Sequence, residues 1–168
     1  MPTSALVMAD PVVTLIAAAH PENVLDVGPG YGKYGPIIRE YCDPTPAVDA
    51  VEAWQPYIDD HGLAGIYRHV FATDVLLLDD VHLAAYDLVF LGDVIEHLAK
   101  DDALNLIDRI PGHIVINTPE HFFHNGDNLP WTETHRSHWV QGDFTGTGRV
   151  ASYRVLHGGQ LVLLHPRG

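Results

Sequence analysis

Three glycines at alternate positions, Gly28, Gly30 and Gly32, follow the apolar run Val24-Leu25-Asp26-Val27 and precede a stretch of helical character. A glycine turn between a strand and a helix lets backbone approach a ligand closely and aims amide groups at it. Two phosphate-binding patterns can be tested against it, and both fail. A Walker loop needs a glycine where Val27 stands and a hydroxyl residue where Tyr34 stands. A dinucleotide fingerprint needs its third glycine where Lys33 stands. What remains is a glycine turn preceded by Asp26. Pro29 removes one amide donor from it. Further along, acids and imidazoles follow other apolar runs: Glu52, Asp74, and the Glu96-His97 pair.

The balance of the whole chain narrows the partners these groups can serve. The 168 residues carry 9 Lys+Arg against 22 Asp+Glu, a formal net charge of −13, together with 12 His. Such an excess of acid repels nucleic-acid phosphates and anionic membrane surfaces, so neither is expected as a partner. The single Cys42 excludes an intramolecular disulfide framework and suits a reducing compartment. No run reaches the roughly 20 apolar residues of a membrane span. The opening MPTSALVMADPVV lacks the basic region of a signal peptide, so a cytoplasmic location is expected.

The elements that must position these residues alternate. Residues 4–19 are apolar at helical spacing, with Pro11 expected to kink or divide that helix. Buried strands are read at 24–27, 47–51, 69–72, 86–91 and 113–117, because short apolar runs bounded by turn signals fit a parallel sheet. Helices are read at 31–41, 56–61, from 92 to 98, and at 103–110 with Asp101 and Asp102 as caps. Residues 119–148 lose the pattern and are read as a long substrate-side loop. Two β-like runs, 150–156 and 160–164, flank a Gly158-Gly159 turn. The reading is a single domain over 1–168 with a doubly wound, mostly parallel seven-stranded α/β sheet and a C-terminal antiparallel hairpin. Ligands of such sheets sit beyond the carboxyl ends of the strands.

The residues 24–35, VLDVGPGYGKYG, resemble the first motif of the class I S-adenosylmethionine (SAM)-dependent methyltransferases. Glu52, 22 residues after Gly30, matches the acid that holds the ribose hydroxyls in that family, and Asp74 matches the residue meeting the adenine. Residues 86–98, YDLVFLGDVIEHL, resemble its fourth motif. The resemblance implies a SAM pocket built from Asp26, Gly28, Gly30, Tyr31 and Gly32 on the first loop, then Glu52, Asp74 and Val75, then Gly92 and Asp93. It leaves Lys33 either approaching the cofactor carboxylate or solvated. One carboxylate accepting from two vicinal hydroxyls suits a cofactor without phosphate. The segment 119–144 resembles a subset of bacterial methyltransferases carrying Glu-x-His-x-Ser-x-Trp, here Glu133, His135, Ser137 and Trp139, preceded by Asn128.

The histidines divide into candidates. His97 and His135 are the expected catalytic pair, as orienting groups or as general base. Glu96, His121, His138 and Trp139 are expected on the substrate side. The pairs His121/His124 and His135/His138, with Asp127 and Glu133 nearby, invite a metal reading. Such spacings also arise by chance in a chain with 12 His, and no metal ligand is assigned. Phe122, Phe123 and Trp131 are read as packing or pocket walls. The resulting expectation is methyl transfer from SAM to an O or N nucleophile of a small molecule or short peptide, leaving S-adenosylhomocysteine (SAH). The alternatives are a SAM-binding partner subunit without transferase activity, or a metal-dependent variant. A homodimer is compatible with either.

Overall fold

A computed structural model of the chain describes residues 5–121 and 133–168. Phe122, Phe123, His124, Asp127, Asn128 and Trp131 therefore lie outside the described residues. In chain order the helices are α1 (Ala9–Ala18), α2 (Tyr34–Tyr41), α3 (Gln55–Asp60), α4 (Asp80–Leu83), α5 (Lys100–Arg109) and α6 (Gln141–Thr145). The strands are β1 (Asn23–Val27), β2 (Ala47–Glu52), β3 (Val70–Ala72), β4 (Leu88–Gly92), β5 (His113–Pro119), β6 (Val150–Leu156) and β7 (Gly159–Leu164).

They form one seven-stranded sheet in the order β3-β2-β1-β4-β5-β7-β6. The first five are parallel, and β7 runs antiparallel between β5 and β6. Alternation along the strands sends side chains to two cores. Leu25, Val27, Val89, Leu91, Ile114 and Ile116 pack beneath α4, α5 and α6 on one face. Val24, Leu88, Phe90 and Val115 pack beneath α1 and α2 on the other. With both faces covered, the central strands can be apolar at nearly every position. The order reverses between β1 and β4, which opens a crevice above their carboxyl ends. Among the described residues, no helix is long and apolar enough to cross a membrane.

Several boundaries differ from the sequence reading, each for a local reason. Pro11 does not divide the first helix. It sits in the opening turn of α1, where its missing N–H has no partner to lose. The preceding residues, Leu6–Met8, form a separate 3-10 turn. The segment after β4 closes into a single 3-10 turn, Ile95–His97, rather than a helix. Asp101 and Asp102 occupy the first turn of α5 instead of capping it; there they still face the positive end of its dipole. The region read as irregular contains α6, with Asp143 accepting from the Val140 N–H at 2.8 Å. The hairpin turn is His157-Gly158, one residue earlier than expected; its φ angles of +53° and +80° supply the two left-handed residues of a tight hairpin.

Candidate active site

The glycine loop leaves β1 directly over the crevice. The Gly28 N–H donates to the Val51 carbonyl of β2 at 2.9 Å. Gly28 has φ +61°, and a Cβ there would lie 2.9 Å from Cγ2 of Val94, so both backbone and space demand glycine. Gly28, Pro29, Gly30 and Lys33 line a cavity of about 680 Å³, with Asp26 at its base. Asp26 accepts from the Tyr67 hydroxyl at 2.6 Å. Its burial nevertheless pushes its pKa up to about 7, and the charge of Glu52 adds to the rise. Burial lowers the Lys33 pKa, against the pull of Asp93 and Asp26.

The next two strands deliver their acids to the same cavity. Glu52 closes β2, is 6% exposed, and accepts from the Trp54 N–H at 2.7 Å. Burial raises its pKa despite that bond, with Glu133 contributing. Asp74 follows β3 and accepts from the Leu76 N–H at 2.9 Å, capping the turn that begins at Val75. Asp74 thus caps and faces the cavity, and Val75 lines it too. Two expected cofactor residues stand elsewhere. Tyr31 is exposed, edge-on to His61 at 4.4 Å, and Gly32 packs against Ile66 and Leu63.

The opposite wall begins at the end of β4. Gly92 and Asp93 line the cavity, and Asp93 takes φ +54°, an uncommon conformation for a residue with a side chain. It is held there from β5: its N–H donates to the Asn117 carbonyl at 2.7 Å, and its Oδ1 accepts from Asn117 Nδ2 at 3.0 Å. The turn that follows presents Glu96 and His97. Glu96 is 3% exposed; Oε2 accepts from Thr118 Oγ1 at 2.9 Å, while Oε1 is buried with no hydrogen-bond partner among the described residues. Burial, with the nearby Asp93, pushes its pKa well above the ordinary carboxylate range. His97 and His135 meet edge to face at 4.9 Å. Burial, and then His135, lower the His97 pKa, which favours the neutral ring.

His135 arrives on an extended segment whose side chains alternate. From 135 onward His135, Ser137 and Trp139 are buried, while Arg136, His138 and Val140 are exposed. The segment is stitched to the 95–97 turn. The Arg136 and Ser137 N–H groups donate to the Glu96 carbonyl at 2.7 and 3.0 Å. Ser137 Oγ and Trp139 Nε1 both donate to the Ile95 carbonyl, at 3.0 and 3.2 Å. Trp139 stacks on Phe144 inside the core, so it anchors the segment and forms no part of the cavity wall. His121 and His138 also stand off the cavity. His121 is exposed beside Glu120, and His138 is exposed with Nε2 3.2 Å from the Glu120 carbonyl. The pairing of 135 with 138 is not made, because adjacent inward positions on an extended segment are two apart, not three.

Residues that sequence reasoning had not placed complete the walls. Tyr57 donates to Glu133 at 3.2 Å, linking α3 to the stitched segment. His157, Gly158 and Gly159 bring the hairpin turn to the rim, and Ala5 and Met8 approach from the N-terminal side. The Asn117 position was marked by its place at a strand end. Nothing local marked Tyr57, which reaches the site only through the packing of α3.

No protein-family model matches the sequence, and no curated protein matches it significantly. Solved structures do share the fold. An O-methyltransferase family protein from Burkholderia thailandensis superposes with a TM-score of 0.65 at 20% identity, covering 96% of this chain and 56% of that one. The N-terminal domain of EvdMO1, solved in the presence of SAH and D-fucose, gives a TM-score of 0.70 at 14% identity, covering 98% and 85%. Magnesium protoporphyrin IX methyltransferase from Synechocystis PCC 6803, with bound SAM, gives 0.65 at 14% identity, covering 95% and 78%. The chain thus spans little more than half the length of the Burkholderia protein. Together with the strand order, these likenesses establish the class I methyltransferase fold.

Proposed function

We propose that the chain is a SAM-dependent methyltransferase acting on an oxygen, or secondarily a nitrogen, of a small molecule or short peptide. One observation carries the reading: the glycine loop, Glu52 and Asp74 sit at three successive strand ends and line the same cavity as Glu96, His97 and His135. The cavity's size suits a nucleoside-bearing cofactor, since ligand pockets commonly run about 300–1,000 Å³. SAM, when bound, supplies an electrophilic methyl group on a sulfonium.

The chain's own groups divide the remaining work. The close backbone of Gly28 and Gly30 would admit the cofactor against the end of β1, and the Glu52 carboxylate would accept from its vicinal hydroxyls. Asp74 and Val75 bound the far side of the cavity for the adenine, and Lys33 and Asp93 flank the amino-acid end. The Glu96–His97–His135 cluster would orient the acceptor and receive its proton, which the neutral His97 ring favours. Orientation and exclusion of water would supply most of the rate. The charge of −13 favours neutral or cationic acceptors.

The test is calorimetric titration with SAM and SAH, followed by mass analysis of products formed from labelled SAM and candidate acceptor pools. Micromolar SAH binding with a labelled product is expected. Absence of SAH binding by the folded chain would sink the reading.

A further inference from the structure

The acceptor-side cluster is built for a ligand smaller than any acceptor. Glu96, His97 and His135 each offer one ligand atom, and these three atoms lie within 4.8 Å of one another. Bonds of about 2.0–2.2 Å from nitrogen and oxygen to a metal hold ligand atoms about 3–4 Å apart, so small side-chain movements close the set.

Two further features point to an ion. Glu96 Oε1 and His97 Nδ1 are both buried without a hydrogen-bond partner among the described residues. An unpartnered buried polar atom is destabilising, and here two such atoms fall on adjacent residues of the cluster. A cation satisfies a carboxylate oxygen and a ring nitrogen together. The other carboxylate oxygen of Glu96 is already held, as outer partners hold metal ligands: Thr118 Oγ1 donates to Glu96 Oε2. His135 is fixed by the two backbone bonds that its following residues make to the Glu96 carbonyl.

We infer that Glu96, His97 and His135 bind one divalent first-row transition ion, with its open coordination positions facing the cavity. Two imidazoles and one carboxylate favour manganese, iron, cobalt or zinc over magnesium and calcium, which prefer oxygen ligands. Three protein ligands with an open position are the arrangement of catalytic rather than structural sites. The ion's role, though not its binding, rests on the methyltransferase reading. With the three side chains acting as ligands instead of accepting the proton directly, the ion would take the acceptor's hydroxyl oxygen and lower its pKa, the proton leaving to solvent. Neither His121 nor His138, the other histidines expected on the substrate side, belongs to the set.

The full chain, stripped with chelator, is titrated with Co²⁺ and separately with Mg²⁺, with and without SAH, and followed by visible absorption and calorimetry. One Co²⁺ per chain is expected, with the d–d bands of a mixed imidazole and carboxylate site, undisplaced by a hundredfold excess of Mg²⁺. Glu96→Gln, His97→Gln and His135→Gln should each weaken Co²⁺ binding at least about 100-fold, beyond the effect of losing an outer partner alone. SAH affinity should stay within threefold, which also shows that each variant is folded. Failure of the wild-type chain to bind Co²⁺ stoichiometrically overturns the inference. So does unchanged Co²⁺ affinity in the three variants, or equal binding of Mg²⁺. Co²⁺ binding without SAH binding would leave the ion site standing and remove the methyltransferase reading; the reverse result would do the opposite.

Discussion

Asp49 and Glu96 are two carboxylates buried to nearly the same extent, 2% and 3% exposed, at different places on one sheet. Asp49, in the middle of β2, accepts from Arg68 Nε at 2.9 Å and Nη2 at 2.7 Å, from the Tyr86 hydroxyl at 2.9 Å and from the His69 N–H at 3.1 Å. Burial would raise its pKa, but the bonds from Arg68 and Tyr86 outweigh it and hold the carboxyl below its usual range. Glu96, beyond the end of β4, receives one side-chain hydroxyl, and its pKa goes the other way. The region around Asp49 satisfies its own charge and serves the fold. The region around Glu96 leaves a buried carboxyl oxygen without a partner among the described residues, which costs stability and makes sense where something else is to bind.

The largest effect that could break this contrast is on stability. Asp49→Ala should lose about 3 kcal/mol, the low end for breaking a buried pair because the Arg68 side chain is 45% exposed. SAH affinity should stay within twofold. Urea unfolding and calorimetry read both, and a loss of SAH binding would show that Asp49 serves the site as well.

Next in size is Glu52→Ala, which should weaken SAH about 100-fold, the loss of two hydrogen bonds to a charged group. Co²⁺ affinity at the neighbouring cluster should not change. Unaltered SAH affinity would remove Glu52 from the site.

The pH dependence sharpens the contrast through its sign. The folded pKa of Asp26 is raised from 3.8 to about 7, so its contribution to stability is complete below about pH 4 and is lost as pH rises to about 7. Glu96 acts in the same direction. Asp49, with a depressed pKa, contributes stability above its unfolded pKa and loses it as pH falls. Asp26→Asn should therefore flatten the decline between about pH 4 and pH 7, and Asp49→Asn should flatten the loss in acid. Unfolding free energies across pH that show the same slope change in both variants would contradict the assignment.

The smallest effect is expected at the stitching. Ser137→Ala should cost about 1 kcal/mol, since Oγ links the Ile95 carbonyl to the Trp139 indole. Product formation should fall about tenfold while SAH affinity holds. Equal loss of both would mean that the segment shapes the whole cavity rather than one wall.

The same contrast explains what could be read from the sequence. The parallel strands, the glycine loop and the acids at Glu52 and Asp74 are local facts, each written in a few neighbouring residues and placed by the rule that ligands meet strand ends. The opposing wall depends on contacts between residues far apart in the chain. The alternation at Glu133, His135, Ser137 and Trp139 was present in the sequence, but only its register against Ile95 and Glu96 shows that Trp139 is an anchor. Of the histidine pairs at 121/124 and 135/138, the first reaches outside the described residues, and the second does not converge, because an extended segment does not bring residues three apart together. His97 and His135, 38 positions apart, meet instead. Tyr31 likewise followed from its motif, yet the turn of the loop sends it to solvent.

The placement of β7 between β5 and β6 also bears on how the molecule comes together. Ile116 pairs with Val162, 46 residues later, so β5 keeps an open edge until the C-terminal hairpin docks. That edge carries Ile114, Val115 and Ile116 in sequence, an adhesive template for other chains in the interval. Because these non-local pairings close long loops, their formation is expected to be slow relative to the local helices. The acidic surface then acquires a second use: like charges on neighbouring chains keep unfinished edges apart while the hairpin finds its slot.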